Sequence, residues 1–391
     1  MDRSDAFPLG AALDIETLTV APYAPLAAMR STEPVSWVPA TGAWFVTRRD
    51  LAIEAMLDAD RYTVADERFT TAQVLGTSML NLDGPEHERH RRAFTKPFRT
   101  KFVREELEAR ITDRAGRLVS SSIEGARELR SGVAGPLAVE TILDVLGLHD
   151  VATDSVLTWY GAFGQAITAL TVGDDVPGEV HDTLGQLHAY VENAMAKHDD
   201  GLISQLVSEA VLTHEEIPVA VAVVMFGAIE TSEAMTANAF WHLLTNPEAL
   251  DQVRADRSLV ANVVNESLRL EPAAAWVDRY TTTEVELGGV ALAEGDLVTI
   301  NLLAANRDPA VFDDPDTFDV HRPNHAQHVT WAQGPHTCLG LHVAKAETAA
   351  AIGAFLDAEQ RLGHELLLDL QTSAAPTGLI FRKPEFVRLH T

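Results

Sequence analysis

Cysteine is nearly absent from this sequence: among 391 residues it occurs once, at position 338. A single cysteine cannot form an intrachain disulfide, which is typical of proteins in a reducing cytoplasm, and we expect that location here. It also cannot supply the several ligands that a structural zinc site or an iron–sulfur cluster requires. If this cysteine binds a metal, it must do so in a site that requires only one thiolate ligand.

Positive charge and long apolar runs are also scarce. The chain has 30 Lys and Arg residues against 57 Asp and Glu residues, which gives a formal net charge of −27. Such a balance argues against binding to nucleic acid or to an anionic membrane surface. The longest apolar run, from Ile217 to Ile229, is shorter than a membrane-spanning helix, and the first residues lack the apolar core of a signal peptide. We therefore expect no nucleic-acid partner, no membrane, and a buried helix at that run.

Nothing in the sequence divides the chain into separate domains. It contains no internal repeat, no low-complexity tract and no linker rich in proline, glycine and serine. Hydrophobic residues make up 46% of the chain, which is enough for a sizeable core. Although the length alone allows two or three domains, we predict a single domain over residues 1–391.

The surroundings of Cys338 favour a ligand over a small buried apolar residue, which is the commoner role of a lone cysteine. It lies in the stretch Trp331-Ala-Gln-Gly-Pro-His-Thr-Cys-Leu-Gly340, whose glycines and proline are typical of a tight loop. The residues from Leu341 to Glu347 are good helix formers. A thiolate at a helix N-terminus is stabilised by backbone N–H groups and the helix dipole. Cys338 can therefore supply the single axial thiolate of a haem.

The same stretch resembles the haem-binding loop of the cytochrome P450 family, whose usual form is Phe-Gly-x-Gly-x-His-x-Cys-Leu-Gly. The fixed positions of that motif that recur here are Gly334, His336, Cys338, Leu339 and Gly340. Two positions differ, since Trp331 stands where Phe is usual and Ala332 where Gly is usual. The resemblance implies that Cys338 binds the haem iron and that His336 contacts a haem propionate.

A basic segment lies well before this loop, between Glu88 and Arg104. Such a segment is usually a solvated helix face, but in so acidic a chain it favours a docking surface or an anion site. His87 and Arg91 are four residues apart and so share one face of a helix. By resemblance to the family's His-x-x-x-Arg pattern, His87 and Arg91 are expected to reach the haem propionates.

The long apolar run belongs to a predicted buried helix that begins near Thr213 and extends toward Leu244. Its middle, Gly227-Ala-Ile-Glu-Thr-Ser232, contains an acid, Glu230, followed by an alcohol, Thr231. Burial of these polar side chains without hydrogen-bond partners would cost free energy. A polar outer face of the helix would explain them, but the small residues before them leave room for a ligand. The segment resembles the family's oxygen-activation motif, Ala-Gly-x-Asp/Glu-Thr-Thr, with Gly-Ala in place of Ala-Gly and Ser in place of the second Thr. The resemblance implies that Glu230 and Thr231 are the catalytic acid and alcohol.

Glu266 and Arg269 are three residues apart and can pair on one helix face, although Glu-x-x-Arg alone is a weak pattern. In the family, this glutamate and arginine form a buried network with a later arginine, which Arg322 matches here. The resemblance therefore implies a structural triad that holds the loop carrying Cys338. Arg279, which lies between them in the sequence, corresponds to the family's propionate-binding arginine.

These motifs occur in the family's order from about His87 to Glu347. The resemblance implies a mainly α fold with small β-sheets (α+β), the cytochrome P450 fold, with haem b between a long central helix and the cysteine loop. The implied activity is that of a haem-thiolate monooxygenase, which uses O2 to hydroxylate or otherwise oxidise a small apolar or amphipathic molecule, plausibly in secondary metabolism. Because the chain has no flavin or dinucleotide motif, we expect a ferredoxin with its ferredoxin reductase to supply electrons.

Other functions remain open from the sequence. A peroxide-using peroxygenase or an oxidative-coupling enzyme would share the haem. The intact Glu230-Thr231 pair disfavours a peroxygenase, since peroxide brings its own oxygen and protons. A haem-binding sensor would not need that pair, and a haem-free helical interaction protein would purify without haem.

Overall fold

The computed structural model describes residues 3–197 and 201–390, and most of these are helical. The α-helices are α1 (Arg3–Ala6), α2 (Pro8–Ala11), α3 (Ile15–Val20), α4 (Tyr23–Thr32), α5 (Arg49–Leu57), α6 (Thr70–Leu75), α7 (Gly84–Phe98), α8 (Thr100–Phe102), α9 (Glu108–Glu124), α10 (Gly135–Leu146), α11 (Thr153–Thr171), α12 (Gly178–Met195), α13 (Leu202–Glu209), α14 (Glu216–Thr245), α15 (Pro247–Ala255), α16 (Val260–Leu270), α17 (Leu302–Ala305) and α18 (Leu341–Leu362). The strands are β1 (Val35–Val38), β2 (Ala43–Val46), β3 (Tyr62–Thr63), β4 (Trp276–Thr281), β5 (Val285–Leu287), β6 (Val290–Leu292), β7 (Leu297–Asn301), β8 (Leu367–Leu368) and β9 (Leu389–His390).

The largest sheet has five strands in the order β1-β2-β7-β4-β3. Residues 34–47, whose apolar stretches flank a turn containing proline and glycine, are predicted to form a hairpin. Strands β1 and β2 form that antiparallel hairpin, with Val35 opposite Val46 and Val38 opposite Ala43. Strand β7 then pairs parallel to β2 and antiparallel to β4. The sheet therefore joins the N-terminal hairpin to the strands that follow α16, and it places Arg279 of β4 inside the molecule.

Three sequence predictions need correction. The mixed polarity of residues 62–82 predicts an irregular loop over a pocket, but the stretch contains β3 and α6. So short a helix as α6 depends on tertiary packing rather than on its own propensity, which sequence periodicity does not reveal. The sequence also predicts a hairpin over residues 284–301. The observed hairpin is confined to β5 and β6, because β7 pairs with strands of the large sheet instead. The basic helix expected over 89–104 is broken after Phe98, where Arg99 takes an extended conformation (ψ 142°) just beyond Pro97.

Helix α14 forms the centre of the core, as the apolar run predicts. Its N-terminus carries a capping box, since the N–H of Thr213 donates to Glu216 Oε2 (2.8 Å) and the N–H of Glu216 to Thr213 Oγ1 (3.3 Å). In the described part of the chain, α14 is the one helix long and apolar enough to cross a membrane, and 72% of its most apolar window is buried inside the protein. That burial on most sides is typical of a core helix.

Helix α18 packs against α14 and continues well beyond Glu347, the last residue of the helix-forming run that follows Cys338. The buried hydroxyls of Thr236 and Thr348 lie 2.8 Å apart and connect the two helices. This contact lies two turns after the N-terminus of α18, which follows Cys338. In α14 it lies just over one turn after the Gly227–Thr231 segment. The fold thus brings the two segments that carried the sequence predictions into one region.

Candidate active site

Cys338 lies in a loop that its own backbone closes. The N–H of Cys338 donates to the Trp331 carbonyl oxygen at 2.7 Å. The Thr337 N–H and hydroxyl both donate to the Gly334 carbonyl, at 3.1 and 2.8 Å. Helix α18 then begins at Leu341 with Gly340 as its N-cap. The loop therefore fixes the cysteine at the N-terminus of a long helix, as predicted.

The environment of the Cys338 thiol contains opposing influences on its pKa. Burial raises the pKa, whereas the N–H groups of Gly340 and Leu341 and the charge of Arg91 lower it, and the effect of burial is the larger. A coordinating metal ion deprotonates a thiol. The surrounding donors are therefore arranged to stabilise the thiolate that a metal ion would bind.

Two residues of the cysteine loop have a left-handed backbone, Gly334 (φ 74°) and Ala332 (φ 56°). Position 334 also requires glycine for space, because a Cβ there would lie 2.8 Å from the Met56 carbonyl oxygen. Ala332 occupies the position where the motif usually has glycine. A Cβ in the left-handed region costs about 1–2 kcal/mol, so this loop is strained at Ala332.

Ala332→Gly is expected to raise the free energy of unfolding by about 0.5–1 kcal/mol, because relief of the left-handed strain exceeds the loss of one methyl and the greater freedom of the unfolded chain. Urea unfolding of the haem-loaded protein, followed by tryptophan fluorescence, measures the change. Ala350→Gly in the middle of α18 is the matched control and should lower stability by about 1 kcal/mol. A fall in stability for Ala332→Gly would show that packing of the methyl outweighs the strain.

A cluster of polar side chains lies beside the cysteine loop. The rings of His87 and His336 have centroids 4.3 Å apart, and His336 Nε2 is hydrogen-bonded to Asp83 Oδ1 at 2.8 Å. Asp83 Oδ2 accepts from the Thr63 hydroxyl at 2.5 Å and from the Val64 N–H at 3.0 Å. Burial opposes ionisation of Asp83, but these hydrogen bonds hold its pKa well below the usual value. Asp83 is thus a fixed negative charge that orients His336, and the sequence reasoning did not identify it.

Arg91 and Arg279 lie close to this cluster. Arg91, one helical turn after His87, donates to the Thr337 carbonyl at 2.6 Å. Arg279 is only 4% exposed and donates to the carbonyl of Asp278 at 2.7 Å. Burial lowers the pKa of Arg279 to about 10, although the Asp83 carboxylate acts in the opposite sense. The predicted group of His87, Arg91, Arg279 and His336 is therefore gathered around one region of the structure.

His87 has an unsatisfied buried atom. Its Nε2 has no hydrogen-bond partner among the described residues, although the side chain is 3% exposed. Burial, together with the neighbouring His336 and the charge of Arg91, lowers the pKa of His87 to about 4, so the ring is neutral at pH 7. A buried polar atom without a partner is uncommon and requires an explanation, and a bound acceptor group beside His87 would supply one.

Helix α14 is open on one face near its middle. Gly227 is exposed and Thr231, one turn later, is half-buried, whereas Glu230 and Ser232 on either side of Thr231 are buried. The Thr231 hydroxyl donates to the Gly227 carbonyl at 2.5 Å, so its oxygen remains able to accept a hydrogen bond. A Cβ at Gly227 would meet no atom within 4 Å. A ligand can therefore approach the backbone of α14 at this face.

Glu230 lies on a different face of α14 from Thr231. Its Oε1 accepts from Lys383 Nζ at 2.8 Å, and the same Nζ donates to Glu233 Oε2 at 2.7 Å. Arg130 donates to Glu233 Oε1 at 3.1 Å and completes a partly buried chain of alternating acidic and basic side chains. Burial raises the pKa of Glu230 despite the nearby charge of Lys383. Sequence reasoning missed this network, because Lys383 comes from the distant C-terminal segment. The one signal available in the sequence was the one-turn spacing of Glu230 and Glu233.

The predicted triad of Glu266, Arg269 and Arg322 is present and buried. Arg269 binds both carboxylate oxygens of Glu266, at 2.9 and 2.8 Å, and Arg322 Nε donates to Oε1 at 2.8 Å. The other N–H groups of Arg269 and Arg322 donate to backbone carbonyl oxygens between Asn306 and Thr317. The side chain of Asn306 in turn donates to the Thr330 hydroxyl at 2.8 Å, next to Trp331. The triad therefore anchors the segment that leads into the cysteine loop.

Comparison with known proteins agrees with this geometry. A model of the family "Cytochrome P450" matches residues 188–358. Cytochrome P450 107B1 of Saccharopolyspora erythraea is 30% identical over a region that covers 87% of this chain and 85% of that protein. The chain belongs to the cytochrome P450 family. Its predicted assignment as an oxidoreductase is confirmed, since cytochromes P450 of this kind are monooxygenases.

Further comparisons concern the fold of this cytochrome P450. The Vitamin D(3) 25-hydroxylase of Pseudonocardia autotrophica is 28% identical over 94% of this chain and 91% of that protein. The crystal structure of P450BioI in complex with hexadec-9Z-enoic acid ligated acyl carrier protein gives a TM-score of 0.84 at 24% identity, covering 96% of this chain and 99% of that one. The predicted fold class, mainly α with small β-sheets, is confirmed.

The cofactor of this P450 is haem b and its co-substrate is O2. The cysteine loop and the open face of α14 would hold this group. The residues of the site fit such a group on three counts. A cysteine lies at a helix N-terminus, donors that suit carboxylates are buried without full partners at His87 and Arg279, and α14 is open at Gly227.

Proposed function

We propose that this P450 inserts one oxygen atom from O2 into a small apolar or amphipathic organic molecule, by hydroxylation or a related oxidation, plausibly in secondary metabolism and in the cytoplasm. The observation that carries the proposal is the combination of Cys338 at the N-terminus of α18 with Thr231 on the open face of α14 and the buried Glu230 next to it in the sequence. Cys338 is the proposed iron ligand. A thiolate ligand supplies electron density that favours O–O cleavage at the haem.

The proposed propionate ligands are His87, Arg91, Arg279 and His336. Two arginines and two imidazoles supply donors for two carboxylates, and charge-assisted hydrogen bonds of this kind are strong. Support comes from the unpartnered His87 Nε2 and from the burial of Arg279, which forms no ion pair with a carboxylate of the described residues. Asp83 holds His336 in the orientation that this binding requires.

Thr231 and Glu230 are the proposed proton-transfer residues. The Thr231 hydroxyl lies on the open face of α14, where rotation about its C–O bond turns its proton from the Gly227 carbonyl toward a ligand. Glu230 lies one residue away in a buried site, and burial favours its protonated form. Together they make a relay in which Thr231 delivers a proton and Glu230 replaces it through water.

The proposed electron donor is a ferredoxin, reduced by its ferredoxin reductase. Arg91 contacts Thr337, and the Thr100 hydroxyl lies 2.8 Å from His342 Nε2, so the basic segment borders the cysteine loop. Arg92, Lys96 and Arg99 are exposed there and have no ion-pair partner in residues 3–197 and 201–390. An acidic protein can therefore dock on this side, close to the proposed iron ligand.

Arg92→Glu is expected to raise the KM for an acidic ferredoxin about tenfold at low salt, because a like charge replaces an attraction at the docking surface. The difference from the wild type should shrink at high ionic strength. Stopped-flow reduction by the ferredoxin measures both effects. Arg361→Glu is the matched control: it makes the same charge change about 30 Å away along α18 and should leave reduction unchanged. Equal effects of the two variants would show that docking takes place elsewhere.

Isotope labelling tests the reaction itself. Haem-loaded protein is supplied with ferredoxin, ferredoxin reductase, NADPH and 18O2, with candidate substrates first selected by spin-state shift. The proposal predicts one labelled oxygen atom in the product. Product that forms only with added hydrogen peroxide would favour the peroxygenase alternative, and a coupled product without new oxygen would favour oxidative coupling.

A further inference from the structure

A polar cavity of about 320 Å³ lies on the face of the large sheet opposite to Arg279. Side chains alternate along a strand, so Trp276, Asp278 and Tyr280 of β4 line the cavity while Arg279 points to the other face. The other walls come from the β1–β2 turn, the loop leading into α6, the C-terminal end of α11, and β7. The cavity is thus distinct from the proposed propionate ligands, although it shares a strand with them.

Asp278 is the notable member of this lining. It is paired across the sheet with Thr299 of β7, whose hydroxyl donates to Asp278 Oδ1 at 2.6 Å. Within the part of the chain that the structure describes, this is the one hydrogen bond that the carboxyl group receives, and Oδ2 remains without a donor. A half-buried carboxylate with one unused oxygen at a cavity wall can take a charged donor from a ligand.

The other two charged residues of the cavity wall are already compensated. Arg68 is paired with Asp66, at 2.8 and 2.7 Å, and lies 4.4 Å from the centroid of the Tyr280 ring. Asp296 is paired with Arg3 at 3.1 Å. Asp278 is therefore the charged residue of the cavity wall that forms no ion pair with another described residue.

We propose that this cavity binds an organic ammonium group, with Asp278 as its counter-ion. The Trp276 ring, two residues from Asp278 on β4, suits the apolar substituents of such a cation. The hydroxyls of Thr41, Thr70 and Thr171 around the cavity supply acceptors for N–H or O–H groups. A cavity of about 320 Å³ is at the small end for ligand sites and fits a head group rather than a whole large ligand.

The ammonium group has two conceivable sources, a separate small cation or the amino end of a substrate whose other end is oxidised at the haem. The first source does not depend on the proposed function, whereas the second rests on it. The binding experiment below has a readout without turnover, so failure of the site and failure of the proposed oxidation are distinguishable.

Choline and its neutral isostere 3,3-dimethylbutan-1-ol are the probes for the haem-loaded enzyme. The quaternary nitrogen of choline has no lone pair and so cannot bind the haem iron. We expect wild-type protein to bind choline at least tenfold more tightly than the neutral alcohol, as measured by calorimetry or ligand-observed NMR. Asp278→Asn, which keeps the shape and the hydrogen bond from Thr299, should abolish that preference. Glu284→Gln, an equal charge change at an exposed position just after β4, should retain it.

The source of the cation is tested with decyltrimethylammonium, whose chain can extend from the cavity. A haem spin-state shift that weakens in Asp278→Asn would identify the substrate's own amino end, and binding without a shift would identify a separate cation. Equal affinity of wild-type protein for choline and for its neutral isostere, or unchanged choline binding in Asp278→Asn, would overturn the proposal.

The pH dependence of choline binding tests the same site without a variant. Burial raises the pKa of Asp278 to about 6, against the lowering effects of the Thr299 hydrogen bond and the charge of Arg279. The other charged groups that face Asp278 are Arg68 and Asp296 across the cavity. Affinity for choline should therefore fall as the pH is lowered through about 6, because the carboxyl group becomes neutral. A flat pH profile between 5 and 8 would contradict the assignment of Asp278.

Discussion

Glu266→Gln is expected to lower the free energy of unfolding by about 3–5 kcal/mol, because removal of one partner leaves buried charges uncompensated. Glu266 and Arg269 have 0% exposure, and Arg322 has 5%. Glutamine keeps the shape of the side chain but removes its charge, so both guanidinium groups remain buried without a carboxylate. Because the triad anchors the segment before Trp331, the variant should also release haem at a lower urea concentration.

Urea unfolding of the haem-loaded protein, followed by tryptophan fluorescence and by haem absorbance, measures both effects. Glu294→Gln is the matched control, since it makes the same chemical change at an exposed position and should shift stability by less than about 0.5 kcal/mol. A loss of less than about 1 kcal/mol in Glu266→Gln would show that the hydrogen bonds to backbone carbonyls, and not the carboxylate, hold the two arginines.

Thr231→Ala is expected to reduce coupling, the fraction of NADPH electrons recovered in product, by about tenfold or more, since a positioned proton donor contributes at least that much. The hydroxyl is the group that α14 presents beside Gly227 on its open face. Without it, electrons should still enter the protein but leave as hydrogen peroxide. Haem content and the carbon monoxide spectrum should not change, because Thr231 makes no contact with the cysteine loop among its hydrogen bonds.

Two neighbouring substitutions separate this effect from general damage to the helix. Thr231→Ser keeps the hydroxyl and should preserve most of the coupling. Ser232→Ala removes a hydroxyl from the next residue, which is buried and directed at Glu347, and should leave coupling unchanged. Normal coupling in Thr231→Ala would show that protons reach the oxygen by a route that does not include Thr231.

The sequence predicted those parts of the site that are carried by local motifs. The loop ending at Cys338 and the pair Glu266–Arg269 depend on residues a few positions apart, so their geometry follows from one loop or one helical turn. The third member, Arg322, was predicted only because the family resemblance supplied its order along the chain. Its contact with Glu266 at 2.8 Å confirms that prediction.

The parts that the sequence did not reveal depend on packing between distant segments. Asp83 precedes α7 and would ordinarily cap it, yet its carboxylate binds Thr63, Val64 and His336 instead. Lys383 reaches Glu230 from the C-terminal segment, and no local pattern predicts that pairing. The cavity beside Asp278 likewise exists only because β4, β7 and the end of α11 meet in space.

The absorption spectrum of the purified protein, reduced with dithionite and exposed to carbon monoxide, tests most directly whether Cys338 is the thiolate ligand of the haem. A strongly red-shifted Soret band in the wild type, absent in Cys338→Ser, is the result that the proposed site predicts. A haem spectrum without that shift would mean that the cysteine is protonated or displaced from the iron. Failure to bind haem even after reconstitution would contradict the proposed site as a whole.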